Sequence, residues 1–420
     1  MSIPAGPPQG DAANNVEPRQ RRTKVTPFRG VEVGIRGAQL RTTETDRLCK
    51  AGRGAGAGGM AELAPPARGF AARLIRWHQR HGRHDLPWQN TTDPYRVWLS
   101  EIMLQQTQVA TVIPYYRRFL DRFPQLADLA AAPVEEVMAL WSGLGYYARA
   151  RNLHACARTV MTQHGGNFPR DPHVIAQLPG IGRSTANSIA TFCFGAHAPI
   201  LDGNVKRVLC RAFGIEGLAA SSAVDKRLWA LAAELMPARH GAVYNQAQMD
   251  LGAMICIRAK PSCDACPLNE SCVAHSTGRT RELPTPKPRR EIPQREATLL
   301  ILQDGNRVLL ETRPPTGIWG GLLSLPELPD GAEAREWAER RFGCHVSAVS
   351  PAALLVHAFT HFRLRITPLL LDVVPGHSAM EPGCQWLDLA ETGKAALPAP
   401  IRSILDALPG NILGSRRLPE

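Results

Sequence analysis

Leu178-Pro179-Gly180-Ile181-Gly182, then Arg183-Ser184-Thr185 and, further on, Pro199-Ile200-Leu201-Asp202-Gly203-Asn204-Val205-Lys206-Arg207, form the stretch on which the reading of this chain turns. One proline and two glycines so close together force a tight turn, and glycine tolerates the positive φ that such turns use. Apolar residues at helical spacing over 183–194 predict a helix directly behind the turn. The free N–H groups at the start of that helix suit a phosphate, although the same hairpin also serves as a plain helix–helix connection. Asp202 stands twenty residues past Gly182, after an apolar run and just before another helical pattern. An acid in that place is either an N-cap or a group set for chemistry, and the spacing leaves both open.

Outward from this stretch, residues 93–274 keep a helical pattern throughout. Apolar residues recur at helical spacing over 95–112, 115–123, 134–140, 146–164, 205–213, 224–235 and 243–254, with 69–81 as a first amphipathic helix. Short connections holding Pro and Gly predict a packed all-α domain over residues 60–275. Residues 276–294 hold four prolines and many charges and read as a linker. Beyond it the period changes. Two apolar runs flank Asp304-Gly305-Asn306, a hairpin signal; 354–359 and 362–373 are strand-like, and 332–342 and 399–408 helical. The fold class expected is therefore multidomain, all-α followed by a separate α/β domain over 295–410, with a short tail at 411–420.

Residues 1–59, rich in Gly, Ala, Arg and Pro without sustained periodicity, read as a disordered basic tail. The chain's 49 Lys and Arg against 37 Asp and Glu leave +12, which favours a polyanionic partner, with nucleic acid first. A hydrophobic content of 44% excludes a wholly disordered chain. No apolar run approaches a membrane span, and the N-terminus has no apolar core after its basic residues, so neither a membrane protein nor a secreted one is expected.

Of ten cysteines, four crowd together with the spacing C-x6-C-x2-C-x5-C: Cys256, Cys263, Cys266 and Cys272. Four thiolates in one loop after a helix can wrap one metal centre. Structural zinc is one candidate, but zinc loops usually show two C-x2-C pairs or added histidines. The single pair favours a [4Fe–4S] cluster, and Arg258 and Lys260 inside the loop give it a basic surface.

Hairpin, aspartate and cysteine loop in this order resemble the helix–hairpin–helix DNA glycosylases with an iron–sulfur cluster, and within them the MutY-type adenine DNA glycosylases. The resemblance covers about 66–408. It rests on Leu86-Pro87-Trp88, on Trp98-Leu99-Ser100-Glu101-Ile102-Met103-Leu104-Gln105-Gln106-Thr107-Gln108-Val109, and on Gly143-Leu144-Gly145-Tyr146-Tyr147-Ala148-Arg149. Arg313-Pro314-Pro315 and Gly317-Ile318-Trp319-Gly320-Gly321-Leu322 resemble that family's Nudix-like module, but 332–341 lacks the acidic box of a working Nudix hydrolase.

The resemblance implies an enzyme that flips adenine from a duplex, opposite 8-oxoguanine or guanine, and hydrolyses its N-glycosidic bond. It makes Glu101 the catalytic acid and Asp202 the carboxylate beside the sugar, with Ser184 and Asn204 in support. Chemistry agrees: the leaving base needs a proton and the oxocarbenium-like centre needs negative charge. Glu101 sits among apolar neighbours, where burial would keep it protonated. The resemblance nominates Gln105, Gln106 and Tyr146 for DNA contact, with Gln106 and Tyr146 as wedges. It places Leu144 at the opposite base, for which core packing is the alternative. The N–H groups of Gly180 and Gly182, with Arg183 and Lys206, would hold phosphates. Phe359-Thr360-His361 resembles the family's Phe-Ser-His loop at 8-oxoguanine, with Thr for Ser; packing of Phe359 within its own domain is the alternative. The lyase relatives carry a Schiff-base lysine eighteen residues before the aspartate, where this chain has Ser184, so a monofunctional enzyme is expected. Competing readings are an oxidised-pyrimidine glycosylase/lyase and a non-catalytic DNA-binding iron–sulfur sensor. The expected setting is a monomer on double-stranded DNA in the cytoplasm, associated with a bacterial nucleoid.

Overall fold

The computed structural model of the chain describes residues 67, 69–288, 291–376 and 381–408. The expected tails 1–59 and 411–420 lie outside the described residues. Helix α1 (Phe70–His81) turns Phe70, Leu74 and Trp77 inward against the apolar faces of α9 (Gly203–Ala212), α10 (Ser222–Leu235) and α11 (Gly241–Met254). This first core joins the start of the helical domain to its end, where the short α12 (Val273–Ser276) follows. A second core is built from α2 (Pro94–Met103), α3 (Val109–Arg122), α4 (Leu126–Ala131), α5 (Val134–Trp141), α6 (Ala148–Gln163), α7 (Pro172–Ile175) and α8 (Arg183–Phe194). Trp98, Tyr116, Phe119 and Trp141 fill it. The candidate carboxylates lie one on each side, Glu101 on α2 and Asp202 at the start of α9.

The single helix expected over 95–112 is two. Helix α2 stops at Met103, and α3 begins at Val109. Between them Gln106 takes φ 59°, a left-handed conformation that costs a non-glycine residue energy. The carbonyls of Ile102, Met103 and Gln105 accept from the guanidinium of Arg149 on α6, at 2.9, 2.8 and 2.7 Å. A distant cation therefore takes over the orphan acceptors at the helix end, which periodicity within 95–112 could not reveal.

In the C-terminal domain β1 (Gln294–Asp304) runs parallel to β7 (Arg363–Val374) at the centre of a mixed sheet with order β3-β2-β1-β7-β5. Strands β2 (Arg307–Thr312), β3 (Leu323–Ser324) and β5 (His345–Pro351) complete that path, and β4 (Glu327–Leu328), β6 (Leu355–Ala358) and β8 (Cys384–Asp388) pair at its sides. The turn at 304–306 is the expected hairpin. Helix α13 (Ala334–Phe342) covers one face, closing a small core of its own with Leu300, Leu302, Leu309 and Leu371. The opposite face and α14 (Ala399–Asp406) join the same buried apolar cluster as the helical domain.

Two polar bonds reinforce that junction: Ser142 Oγ donates to the carbonyl of Leu397 at 2.6 Å, and Arg402 reaches the Ser142 hydroxyl at 3.3 Å. The stretch expected as a linker is also fastened at its start. Leu283 is buried, its carbonyl accepts from Arg211, and the Thr285 hydroxyl accepts from the Gly217 N–H. Residues 276–294 join two domains that the shared apolar cluster and these bonds dock together.

Candidate active site

The hairpin at 178–182 has the expected turn. Gly180 takes φ 75°, and a Cβ there would lie 2.6 Å from Cβ of Asn152, so any side chain would drive the turn off α6. The apolar run 199–201 behind α8 has no strand partner among the described residues; side chains hold its backbone instead. Asn187 donates to the Pro199 carbonyl at 2.7 Å, Thr191 and Asn245 donate to that of Ala198, and Leu201 N–H donates to Ser184 Oγ at 3.0 Å. Ser184 thus grips the residue that precedes Asp202. Asp202 is an N-cap and a site residue at once: its Oδ1 accepts from the Val205 N–H at 2.8 Å, while Oδ2 lies 3.4 Å from the Asn204 amide.

A cleft of about 830 Å³ opens between the two helical cores. Glu101, Ser184, Asp202, Asn204, Gln105 and Gln106 all line it, joined by Ser188, Gln246, His78 and Arg83. Burial pushes the Glu101 carboxyl up to about 7; nearby Asp202 adds to this and the Ser188 hydroxyl opposes it. Burial raises Asp202 as well, but the N–H groups of Val205 and Asn204, the charge of Arg207 and the Asn204 amide all favour its ionised form. Two carboxyl groups in one cleft thus meet different surroundings, and Glu101 keeps its proton to higher pH than an ordinary glutamic acid.

Asp250 supports the cleft wall from behind, and the sequence reading missed it. Fully buried, it accepts from the backbone and side chain of Arg83 at 2.9, 2.9 and 2.6 Å and from Gln246 at 3.0 Å, and His78 lies 3.2 Å away. These partners hold its pKa below the usual carboxylate range against the pull of burial. Asp250 fixes three groups of the cleft wall. An acid within an otherwise apolar helical pattern was the available signal.

The cysteine loop adjoins this site. Cys256, Cys263, Cys266 and Cys272 line one small cavity with Arg211 and His275. Burial pushes the Cys266 thiol up to about 12, and its three neighbour thiols push the same way. Among the described residues no three Cys, His, Asp or Glu side chains gather closely enough to hold a single metal ion. Four thiols around one small cavity are the soft donor set that an iron–sulfur group or a zinc ion would use. Arg211 lies 3.4 Å from Cys256 Sγ. Arg207 donates to the Cys256 carbonyl at 2.7 Å and to Asn204 Oδ1 at 2.8 Å, so the loop and the Asp202 turn share a guanidinium. Gly252 permits this approach, since a Cβ there would meet Asn204 Cβ at 2.6 Å.

Other expected residues are distributed differently. Gly180 and Gly182 are exposed at the hairpin, outside the cleft. Arg183 lies 3.8 Å over the ring of Trp229, and Lys206 pairs with Asp225 at 2.6 Å, so neither cation is a free phosphate ligand here. Leu144 is 5% exposed and belongs to the core, the alternative to a place at the opposite base, between Gly143 at φ 100° and Gly145 at φ 71°. Tyr146, 45% exposed with φ 50°, is the side chain this loop presents. Its hydroxyl lies 2.9 Å from that of Thr360. Phe359 is half-buried, stacked on Phe362 at 4.4 Å and edge-on to His357 at 4.7 Å, which makes it a prop of its own domain. Thr360 and His361 are exposed. On α13, Glu333 caps the helix, Glu336 pairs with Arg340, and Glu339 accepts from the Val346 N–H.

Comparison with known proteins adds relatives to this geometry. Residues 99–234 match the family model described as HhH-GPD superfamily base excision DNA repair protein, and residues 297–407 match that of the NUDIX domain. Adenine DNA glycosylase of Buchnera aphidicola subsp. Acyrthosiphon pisum is 35% identical over 345 residues, covering 82% of this chain and 98% of that one. Adenine DNA glycosylase of Homo sapiens is 34% identical over 420 residues, covering 83% of this chain and 76% of that one. Among solved structures, a thermostable thymine-DNA glycosylase superposes with TM-score 0.46 at 29% identity, over 50% of this chain and 97% of that one.

Proposed function

The chain belongs to the adenine DNA glycosylases, enzymes of base excision repair, and on that premise we propose that it excises adenine mispaired with 8-oxoguanine or guanine. The observation that carries the chemistry is the pairing of Glu101 and Asp202 in one cleft, with the Glu101 carboxyl held up to about 7. Glu101 protonates the departing adenine as the N-glycosidic bond breaks. Asp202, whose ionised form its N–H donors and Arg207 favour against burial, stabilises the oxocarbenium-like sugar as an anion. Water then adds to the anomeric carbon and gives up a proton, leaving an abasic site. Asn204 and Ser184 hold Asp202 in place. Ser184 has no amine to form an imine, so strand cleavage is not part of the reaction.

Gln105, Gln106 and Tyr146 part the duplex, Gln106 and Tyr146 as wedges, while the exposed hairpin at Gly180 and Gly182 offers N–H groups to phosphate. Lys206 joins them by leaving Asp225, and Arg183 by leaving Trp229. Thr360 and His361, exposed next to Tyr146, read the base opposite adenine, and Phe359 supports them from beneath. Cys256, Cys263, Cys266 and Cys272 would hold a [4Fe–4S] cluster; when bound, it cross-links the loop that carries Arg258 and Lys260 and braces the Arg207 contact to Asn204. None of the described helices is long and apolar enough to cross a membrane. We place the enzyme, as a monomer, in the cytoplasm on nucleoid DNA. The test is incubation with two duplexes, one holding adenine opposite 8-oxoguanine and one holding an oxidised pyrimidine, each with and without alkali. Breaks confined to the adenine and absent with Glu101→Gln are expected; breaks at oxidised pyrimidines without alkali, or none at all, would overturn the reading.

A further inference from the structure

Arg149 has six hydrogen-bond acceptors within reach and no carboxylate among them. Its Nη1 donates to the carbonyls of Ile102, Met103 and Gln105 at 2.9, 2.8 and 2.7 Å. Its Nη2 donates to Thr107 Oγ1, Leu144 O and Gly145 O, each at 3.1 Å. The side chain is 8% exposed, and its guanidinium lies 5.3 Å from the Trp141 ring centre and 5.6 Å from that of Tyr146. A buried cation is normally paired with an acid. Here carbonyl dipoles and ring faces replace the counter-ion. Burial lowers its pKa to about 10, which still leaves it charged at neutral pH.

The acceptors belong to two separate loops and one helix end. Loop 104–107 follows the helix of Glu101 and carries Gln106 at φ 59°; loop 143–146 carries Tyr146 at φ 50°. Both residues sit in a conformation that side chains disfavour, so each loop needs an outside restraint. One planar fork with fixed donor directions supplies it to both at once. Lysine, with a single nitrogen and three protons, could serve only part of this set.

We propose that Arg149 is a positioning residue that couples the two duplex-parting loops to each other and to the helix of Glu101, so that Gln106 and Tyr146 enter the duplex as one unit as adenine is delivered. The proposal rests on the reading of Gln106 and Tyr146 as wedges. It assigns Arg149 to the opening of paired DNA and not to bond cleavage. The two steps separate when the adenine is already unpaired, as opposite an abasic analogue.

The experiment is single-turnover excision by full-length Arg149→Lys on two duplexes, adenine opposite 8-oxoguanine and adenine opposite an abasic analogue. The expected result is at least a tenfold loss on the first and less than threefold on the second. Thr107→Val, which removes one acceptor from an otherwise similar side chain, should show the same split on a smaller scale and keeps the test open if Arg149→Lys folds poorly. Gln106→Ala combined with Tyr146→Ala should cost little more than either alone in the parent, yet the two losses should multiply when Lys stands at 149. Equal slowing on both duplexes, or none on either, overturns the proposal while leaving the wedge reading intact if Gln106→Ala and Tyr146→Ala still slow paired adenine. Parental rates in those two variants overturn the wedge reading, and the proposal with it.

Discussion

Replacing Glu101 by Gln should abolish excision and, above neutral pH, make the protein more stable. In the folded chain the carboxyl is pushed up to about 7 from the usual 4.5. The folded state therefore holds this proton more tightly than the unfolded state does. Stability is fully present below about pH 4.5 and drains away as pH rises to about 7, beyond which the loss is complete. At about 1.4 kcal/mol per decade, the gap amounts to about 3 kcal/mol at pH 8 and under about 1 kcal/mol at pH 5. Gln carries no such charge, so it recovers that energy while occupying nearly the same space. Catalysis moves the other way: without a proton to give, excision should fall by about 10²–10⁴-fold. The parent's own rate should decline as pH rises through about 7, because the protonated form does the work. Guanidinium unfolding of parent and variant at pH 5 and 8, with single-turnover rates between, measures both sides. Identical unfolding midpoints at pH 8, or a parental rate that stays level from pH 6 to 9, would refute the reasoning.

Cys263→Ser should lose the visible iron–sulfur absorbance and weaken DNA binding more than it lowers far-UV helicity; purification with one zinc and no iron would sink the cluster. On the reading that Ser184 stands where the lyase relatives carry their lysine, borohydride should trap no strong protein–DNA adduct, and an adduct through a lysine such as Lys206 would reverse that reading. Thr360→Ala with His361→Ala should cut the preference for 8-oxoguanine over guanine, since one or two lost polar contacts are worth roughly 1–3 kcal/mol; undiminished discrimination would remove these two as readers. A chain beginning at Met60 should keep full activity, and a loss beyond tenfold that shrinks with rising salt would make residues 1–59 a DNA-binding arm.

Sequence pattern made the helix boundaries around the hairpin legible, with 183–194 read at its observed limits, because proline and glycine punctuate the chain there. It made Asp202 visible but not its double use, since an N-cap and a site carboxylate have the same sequence surroundings. The break at 104–108 escaped because its cause, Arg149, lies more than forty residues away. Edge strand β5 also escaped. His345-Val-Ser-Ala-Val-Ser-Pro351 buries only Val346 along its length, so it shows no alternation to read. The docking of Leu397 on Ser142 spans 255 residues and leaves no local trace.

That last contact bears on how the enzyme is made. Translation delivers the cleft, with Glu101 and Asp202, long before Leu397 and Arg402 leave the ribosome. Until they arrive, Ser142 lacks the partners that fasten its loop, and Tyr146 lacks Thr360 beside it. The support of one loop is thus split between the middle of the chain and its C-terminal domain, so that Tyr146 gains its neighbour Thr360 only when that domain has been made and docked.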